Sequence, residues 1–146
     1  MVEVQIATLA DELPDPAQLA AVGDRVLAHE GREDYDACLR VVDAEAIRAL
    51  NEQYRGFNKP TNVLSFPADV ELAEVKLLGD VVLCAPVVVA EAREQGKTVA
   101  DHSTHMVVHG LLHLCGYDHE EDAEARQMEA LEVQVLAGLG VEDPYR

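Results

Sequence analysis

At 146 residues the chain is long enough to bury roughly two-thirds of its unfolded surface in one core, and 49% hydrophobic residues with no low-complexity stretch exclude a disordered protein. Eleven basic against 28 acidic residues give a net charge of −17, which argues against broad electrostatic attraction to nucleic acid. Cys38, Cys84 and Cys115 form no CxxC pair and are too few for a disulfide framework.

The sequence predicts one domain over residues 1–146, with no internal repeat and no linker. Met1-Val2-Glu3-Val4 lacks a basic segment followed by an apolar run, so no signal peptide is expected. The longest apolar run, Val81 to Ala90, is about half the length needed to span a bilayer and contains Pro86. A soluble cytoplasmic protein is expected.

Val2 to Ala7 alternates as a strand does, and Asp15-Pro16 opens a helix running towards His29. Tyr35 to Val42 is strand-like, and Asp43 is placed to cap a second helix that Gly56 ends. Asn62 to Phe66 and Leu77 to Cys84 are two further strands joined by an acidic connection. Ala85-Pro86 starts a third helix ending near Gly96, Asp101 caps a fourth ending at Gly116, and Asp118 begins the last. That order predicts an α+β domain: a four-stranded mixed sheet covered by about five helices, with a metal site on the C-terminal helices.

The metal expectation rests on His109-Gly-Leu-Leu-His113-Leu-Cys-Gly116-Tyr-Asp-His119. A four-residue helical step is about 400°, so His109 and His113 lie about 40° apart on one face and about 6 Å apart along the axis. Gly116 suits the left-handed residue that ends a helix, letting His119 return as a third ligand. Three imidazoles with an open fourth position describe a catalytic zinc site, one ion per chain. His102 and His105 fall on nearly the same face but one or two turns away, which suits packing or support of the ligands. Cys38 and Cys84 read as small buried hydrophobes, whereas the direction of Cys115, inside the histidine cluster, is not legible. His29 reads as a helix-end residue, and Met128, Leu131, Val135 and Leu139 as a core stripe. Asp118, three residues before Glu121, reads as a helix cap, with orientation of a ligand imidazole as the alternative.

The histidine and glycine spacing matches the HExxHxxGxxH signature of metzincin proteases. Their general base, a glutamate directly after the first histidine, is Gly110 here. The metal set is retained while the peptidase base is missing, so a substrate with an internal nucleophile or a cation-held phosphate fits better. Arg55 and Lys59 stand against Glu52 alone between Asn51 and Pro67, whereas Asp118 to Glu132 carries seven acids against Arg126. Arg55 can hold a phosphate through two nitrogens, or be an ordinary solvated charge near a helix end.

His109 to His119 resembles the HGxLHLxGYDH signature of the YbeY family of bacterial endoribonucleases. The stretch from Leu50 through Arg55 to Pro67 is similar to that family's second motif, Leu78-Gly-Asp80 to its third, and Gly140-Val-Glu-Asp-Pro-Tyr145 to its usual ending. Asn58 departs from the aspartate common there. The resemblance implies a single-strand-specific, zinc-dependent endoribonuclease acting in maturation of small-subunit ribosomal RNA and in ribosome quality control. It carries the metal ligands over to His109, His113 and His119, and the functional arginine to Arg55. The expected partners are single-stranded RNA and the small ribosomal subunit or its proteins, with no membrane and no DNA. Asn62, Ser65 and Asp80 are candidate cleft residues or ordinary turn and strand-end residues. A zinc peptidase-like hydrolase and a non-catalytic ribosome-assembly factor stand as alternatives.

Overall fold

The computed structural model describes residues 1–68, 76–118 and 120–145, so the acidic connection after the third strand, His119 and Arg146 lie outside the described residues. The described elements run β1 (Val2–Ala7), α1 (Pro16–His29), β2 (Asp36–Val42), α2 (Ala44–Arg55), β3 (Val63–Pro67), β4 (Leu77–Cys84), α3 (Ala85–Gln95), α4 (Val99–Leu114) and α5 (Asp122–Gly138). The sheet has the order β1-β2-β4-β3; β1 and β4 flank β2 in parallel, and β3 runs antiparallel to β4 along one edge. This is the α+β fold with a four-stranded mixed sheet that the sequence predicts.

Strand β4 explains its own position. Val81, Val82, Leu83 and Cys84 are all buried, as a strand covered on both faces requires. Val81 and Leu83 join Leu39 and Val41 of β2 in the main core, with Leu19 and Leu27 of α1, Leu111 of α4 and Leu136 of α5. The opposite face is smaller, built by Val82 and Cys84 with Leu64 of β3 and Ile47 of α2. Gly79, in the third family motif, has φ 137° and sits where the register of β2 and β4 shifts by a bulge. A Cβ there would lie 2.2 Å from the Phe66 carbonyl oxygen, so the edge strand can approach only a glycine.

Helix α4 is apolar on nearly every side because it runs through the middle of the fold, touching α1, α3, α5, β3 and β4. Its start corrects one expectation: Thr98, not Asp101, is the N-cap, its hydroxyl accepting the Asp101 N–H at 3.1 Å. Two cap-competent residues stand three apart, and the upstream one takes the role. The last helix is also corrected. It begins at Asp122 behind Glu121, so Asp118 does not cap it. Gly116, at φ 103°, turns the chain out of α4, and Tyr117 and Asp118 continue without regular structure. Among the described residues no helix is long and apolar enough to cross a membrane.

Candidate active site

The last two turns of α4 bring His109 and His113 side by side, half-buried, with ring centroids 4.7 Å apart and planes at 79°. Their Nε2 atoms face each other at 3.2 Å. Two nitrogen ligands held about 2.0–2.1 Å from one tetrahedral ion are separated by about 3.3–3.4 Å, so this pair is spaced to share a cation. The expected third ligand, His119, lies outside the described residues.

Behind His109 stands a residue that the sequence reading leaves out. Glu132, on α5, is 1% exposed and accepts hydrogen bonds from His109 Nδ1 at 2.9 Å, His105 Nε2 at 2.5 Å and the Tyr145 hydroxyl at 2.6 Å. Burial alone would push its carboxyl up; the hydrogen bonds from His105, His109 and Tyr145 outweigh that and hold it at about 2. The carboxylate assigns the His109 proton to Nδ1 and leaves the lone pair on Nε2, the atom 3.2 Å from His113 Nε2. Carboxylate–imidazole pairs of this kind orient metal-binding histidines. The signal was an acid at core spacing, four residues after Met128 and three before Val135, on the stripe read as packing alone. The stripe itself is confirmed, with Met128 and Val135 buried and Leu131 and Leu139 packed against the core.

His105 therefore supports the site through Glu132, as its helical face suggested. His102 belongs to a second, partly buried network: its Nε2 lies 3.0 Å from Glu91, which also accepts from Asn62 Nδ2 at 3.1 Å. Burial pushes the His102 imidazole below its ordinary value despite the Glu91 hydrogen bond.

His109 and His113 open into a cleft of about 510 Å³ that is also lined by Arg55, Asn62, Ser65 and Asp118. Arg55 ends α2, is exposed, and makes no hydrogen bond or ion pair with another described residue. Arg48, two turns earlier, is held instead by Glu45, Glu52 and Asn58. The Asn58 departure from the family pattern thus bears on Arg48, not on Arg55. Ser65 donates to the Gly110 carbonyl at 2.8 Å. Asp80 pairs in register with Cys38 and Phe66 on β4 and is not among the described cleft residues. Cys115 packs against the main core, away from the cleft lining.

Gly110 shows why the protease base is absent. A Cβ at that position would meet Val81 Cγ1 at 2.6 Å and Val63 Cγ2 at 3.2 Å. Helix α4 lies directly on β3 and β4 there, and a glutamate has no room.

Fold and cleft define an α+β protein with a carboxylate-backed histidine pair facing an exposed arginine. The family model described as Endoribonuclease YbeY matches residues 11–140, and the chain belongs to that family. A curated Endoribonuclease YbeY of Alteromonas mediterranea is 51% identical over 135 residues, covering 92% of this chain and 85% of its own. Another, from Halorhodospira halophila, is 50% identical over 137 residues, covering 91% and 88%. A Thermotoga maritima protein determined in solution shares the fold at TM-score 0.63 and 27% identity, covering 93% of this chain and 87% of its own.

Proposed function

We propose that this protein is a zinc-dependent endoribonuclease that cuts unpaired RNA, with one zinc ion held by His109, His113 and His119. The observation that carries the proposal is the His109–His113 pair, its Nε2 atoms 3.2 Å apart, opening into the cleft that Arg55 also lines. Neutral imidazoles suit zinc, and the carboxylate of Glu132 fixes the tautomer that ligation needs. The curated relatives named endoribonucleases support RNA as the substrate.

Zinc, when bound, supplies Lewis-acid polarisation of a phosphoryl oxygen. The chain's own residues do the rest. Arg55, with no partner among the described residues, can place two N–H donors on a phosphate and stabilise charge that develops there. Glu132 keeps the His109 ring from turning, and Glu91 holds Asn62 at the cleft wall. An open cleft on a domain this small offers nothing to enter a duplex groove, whereas a splayed single strand can reach its floor. The family resemblance extends the proposal to small-subunit ribosomal RNA maturation and ribosome quality control in the cytoplasm, with the small subunit or its proteins as partner.

The net charge of −17 favours a second reading, a non-catalytic assembly factor that meets basic ribosomal proteins. Purified protein incubated with single-stranded RNA and with casein, with and without a chelator, separates the readings. Chelator-sensitive RNA cleavage is the expected result. Casein cleavage would point to a peptidase, and cleavage of neither to the assembly factor.

A further inference from the structure

Two exposed aromatic rings beside the cleft are left without a task by the site described above. Tyr54 and Phe57 are 60% and 51% exposed, in a chain with only two phenylalanines and no tryptophan. They flank Arg55 in sequence, and Lys59 places its Nζ 5.7 Å from the centre of the Phe57 ring. Tyr145, also exposed, differs from them because its hydroxyl is committed to Glu132.

Neither ring is loosely hung. The Tyr54 ring stands edge-on to Phe66, with centroids 5.1 Å apart. Gly56, at φ 77°, turns the chain back after α2. Asn51, 3% exposed, then anchors the turn, its carbonyl accepting the Phe57 N–H at 3.3 Å and its side chain donating to the Lys59 carbonyl at 2.9 Å. The Phe57 backbone is thus fixed while its ring is offered to solvent. Ser65 and Phe66 point to opposite faces of the edge strand β3, Ser65 towards α4 and Phe66 towards Tyr54. Arg55 therefore lines the histidine cleft while its neighbour Tyr54 packs on the other face of β3, and Phe57 follows two residues on.

We propose that Tyr54 and Phe57 form a stacking platform for nucleobases of a single strand whose phosphates Arg55 and Lys59 hold as it leaves the cleft. The proposal rests on the RNA reading of the cleft. Flat apolar faces interleaved with cations match a polyanion carrying flat bases, and every base has a face to stack, so the platform is tolerant of sequence. It also gives an acidic chain a way to hold RNA: neither Arg55 nor Lys59 forms an ion pair with a described residue, whereas Arg48, Lys76 and Arg93 are paired with acids. Because the Phe57 turn is already ordered, stacking on it carries little ordering cost.

The absence of tryptophan makes a direct test available. Phe57→Trp introduces a single indole whose emission reports on stacking. The probe is a single-stranded 2′-O-methyl oligonucleotide, compared with an abasic strand of equal length and charge, and anisotropy gives affinity. The expected results are quenching of Phe57→Trp by the oligonucleotide and not by the abasic strand, and a Kd raised roughly 5- to 150-fold in Phe57→Ala. Phe57→Leu, which keeps apolar area without a ring, should bind like Phe57→Ala, and melting temperatures verify that each variant is folded. Oligonucleotide that binds wild type and Phe57→Ala equally, or that binds Phe57→Trp without quenching, overturns the platform alone. A wild-type protein that binds neither strand overturns the RNA reading beneath it as well.

Discussion

Replacing Glu132 probes the candidate metal centre without touching a proposed ligand. In Glu132→Ala three donors lose their acceptor, at 2.5, 2.9 and 2.6 Å. Tyr145 is 48% exposed and can turn its hydroxyl to water, but His105 is 7% exposed and its buried N–H would keep only the long contact to the Tyr145 oxygen, 3.3 Å away. An unsatisfied buried donor costs about 1–3 kcal/mol, equivalent to a fall of a few degrees in melting temperature for a domain this size. The His109 ring would also lose its fixed tautomer, and loss of such a carboxylate commonly lowers metal affinity about 10- to 100-fold. Glu132→Gln keeps the shape and one acceptor oxygen, but its amide nitrogen must face one of the donors. The Gln variant should therefore fold, melt closer to wild type than the Ala variant, and still bind zinc about tenfold more weakly. Competition against a chromogenic chelator reads the affinity, and thermal unfolding of the metal-free protein reads the stability. Unchanged zinc affinity in both folded variants would refute the claim that Glu132 orients His109.

Gly110→Ala gains about 1 kcal/mol of helix propensity but drives a methyl against Val81, an overpacking cost of about 1–3 kcal/mol, so a lower melting temperature is expected and an equal or higher one contradicts the packing argument. Arg55→Ala should lower RNA cleavage on the order of 10²-fold with zinc content and melting temperature unchanged, and Arg55→Lys should recover only part of the rate. Normal cleavage by Arg55→Ala would make Arg55 a surface residue, and loss of zinc or unfolding would make it structural. His102 gives a pH dependence: its folded-state pKa is depressed by burial, so the unfolded chain takes up the proton first. Its contribution to stability is full above about pH 6.5 and is lost as the pH falls from there through the depressed value. The difference in urea stability between wild type and His102→Gln should be larger at pH 7.5 than at pH 5.5, and a constant difference would contradict this.

The strands were legible because β-branched and apolar residues crowd into short runs; Val2–Ala7 and Leu77–Cys84 begin and end where the pattern does. The histidine pair was legible because helical geometry alone puts residues four apart on one face. Helix starts were less so, because Thr98 and Asp101 are both competent caps and local sequence does not rank them. Glu132 and Tyr145 were hidden for another reason. Periodicity shows which face of α5 turns inward, but not that this face meets His105 and His109 across the interface between α4 and α5. The joint presence of Arg55 and His113 in one cleft likewise depends on β3 carrying the chain back from α2 to the edge of the sheet beside α4. Only the family resemblance connected them in advance.

The central claim, that zinc on the histidine site drives cleavage of unpaired RNA, is tested most directly by metal add-back. Protein stripped by a chelator and freed of it is titrated with zinc while the initial rate on single-stranded RNA is followed. Three imidazole ligands predict a negligible rate without metal, a linear rise, and a break at about one equivalent per chain. A full rate from the metal-free protein would contradict the account.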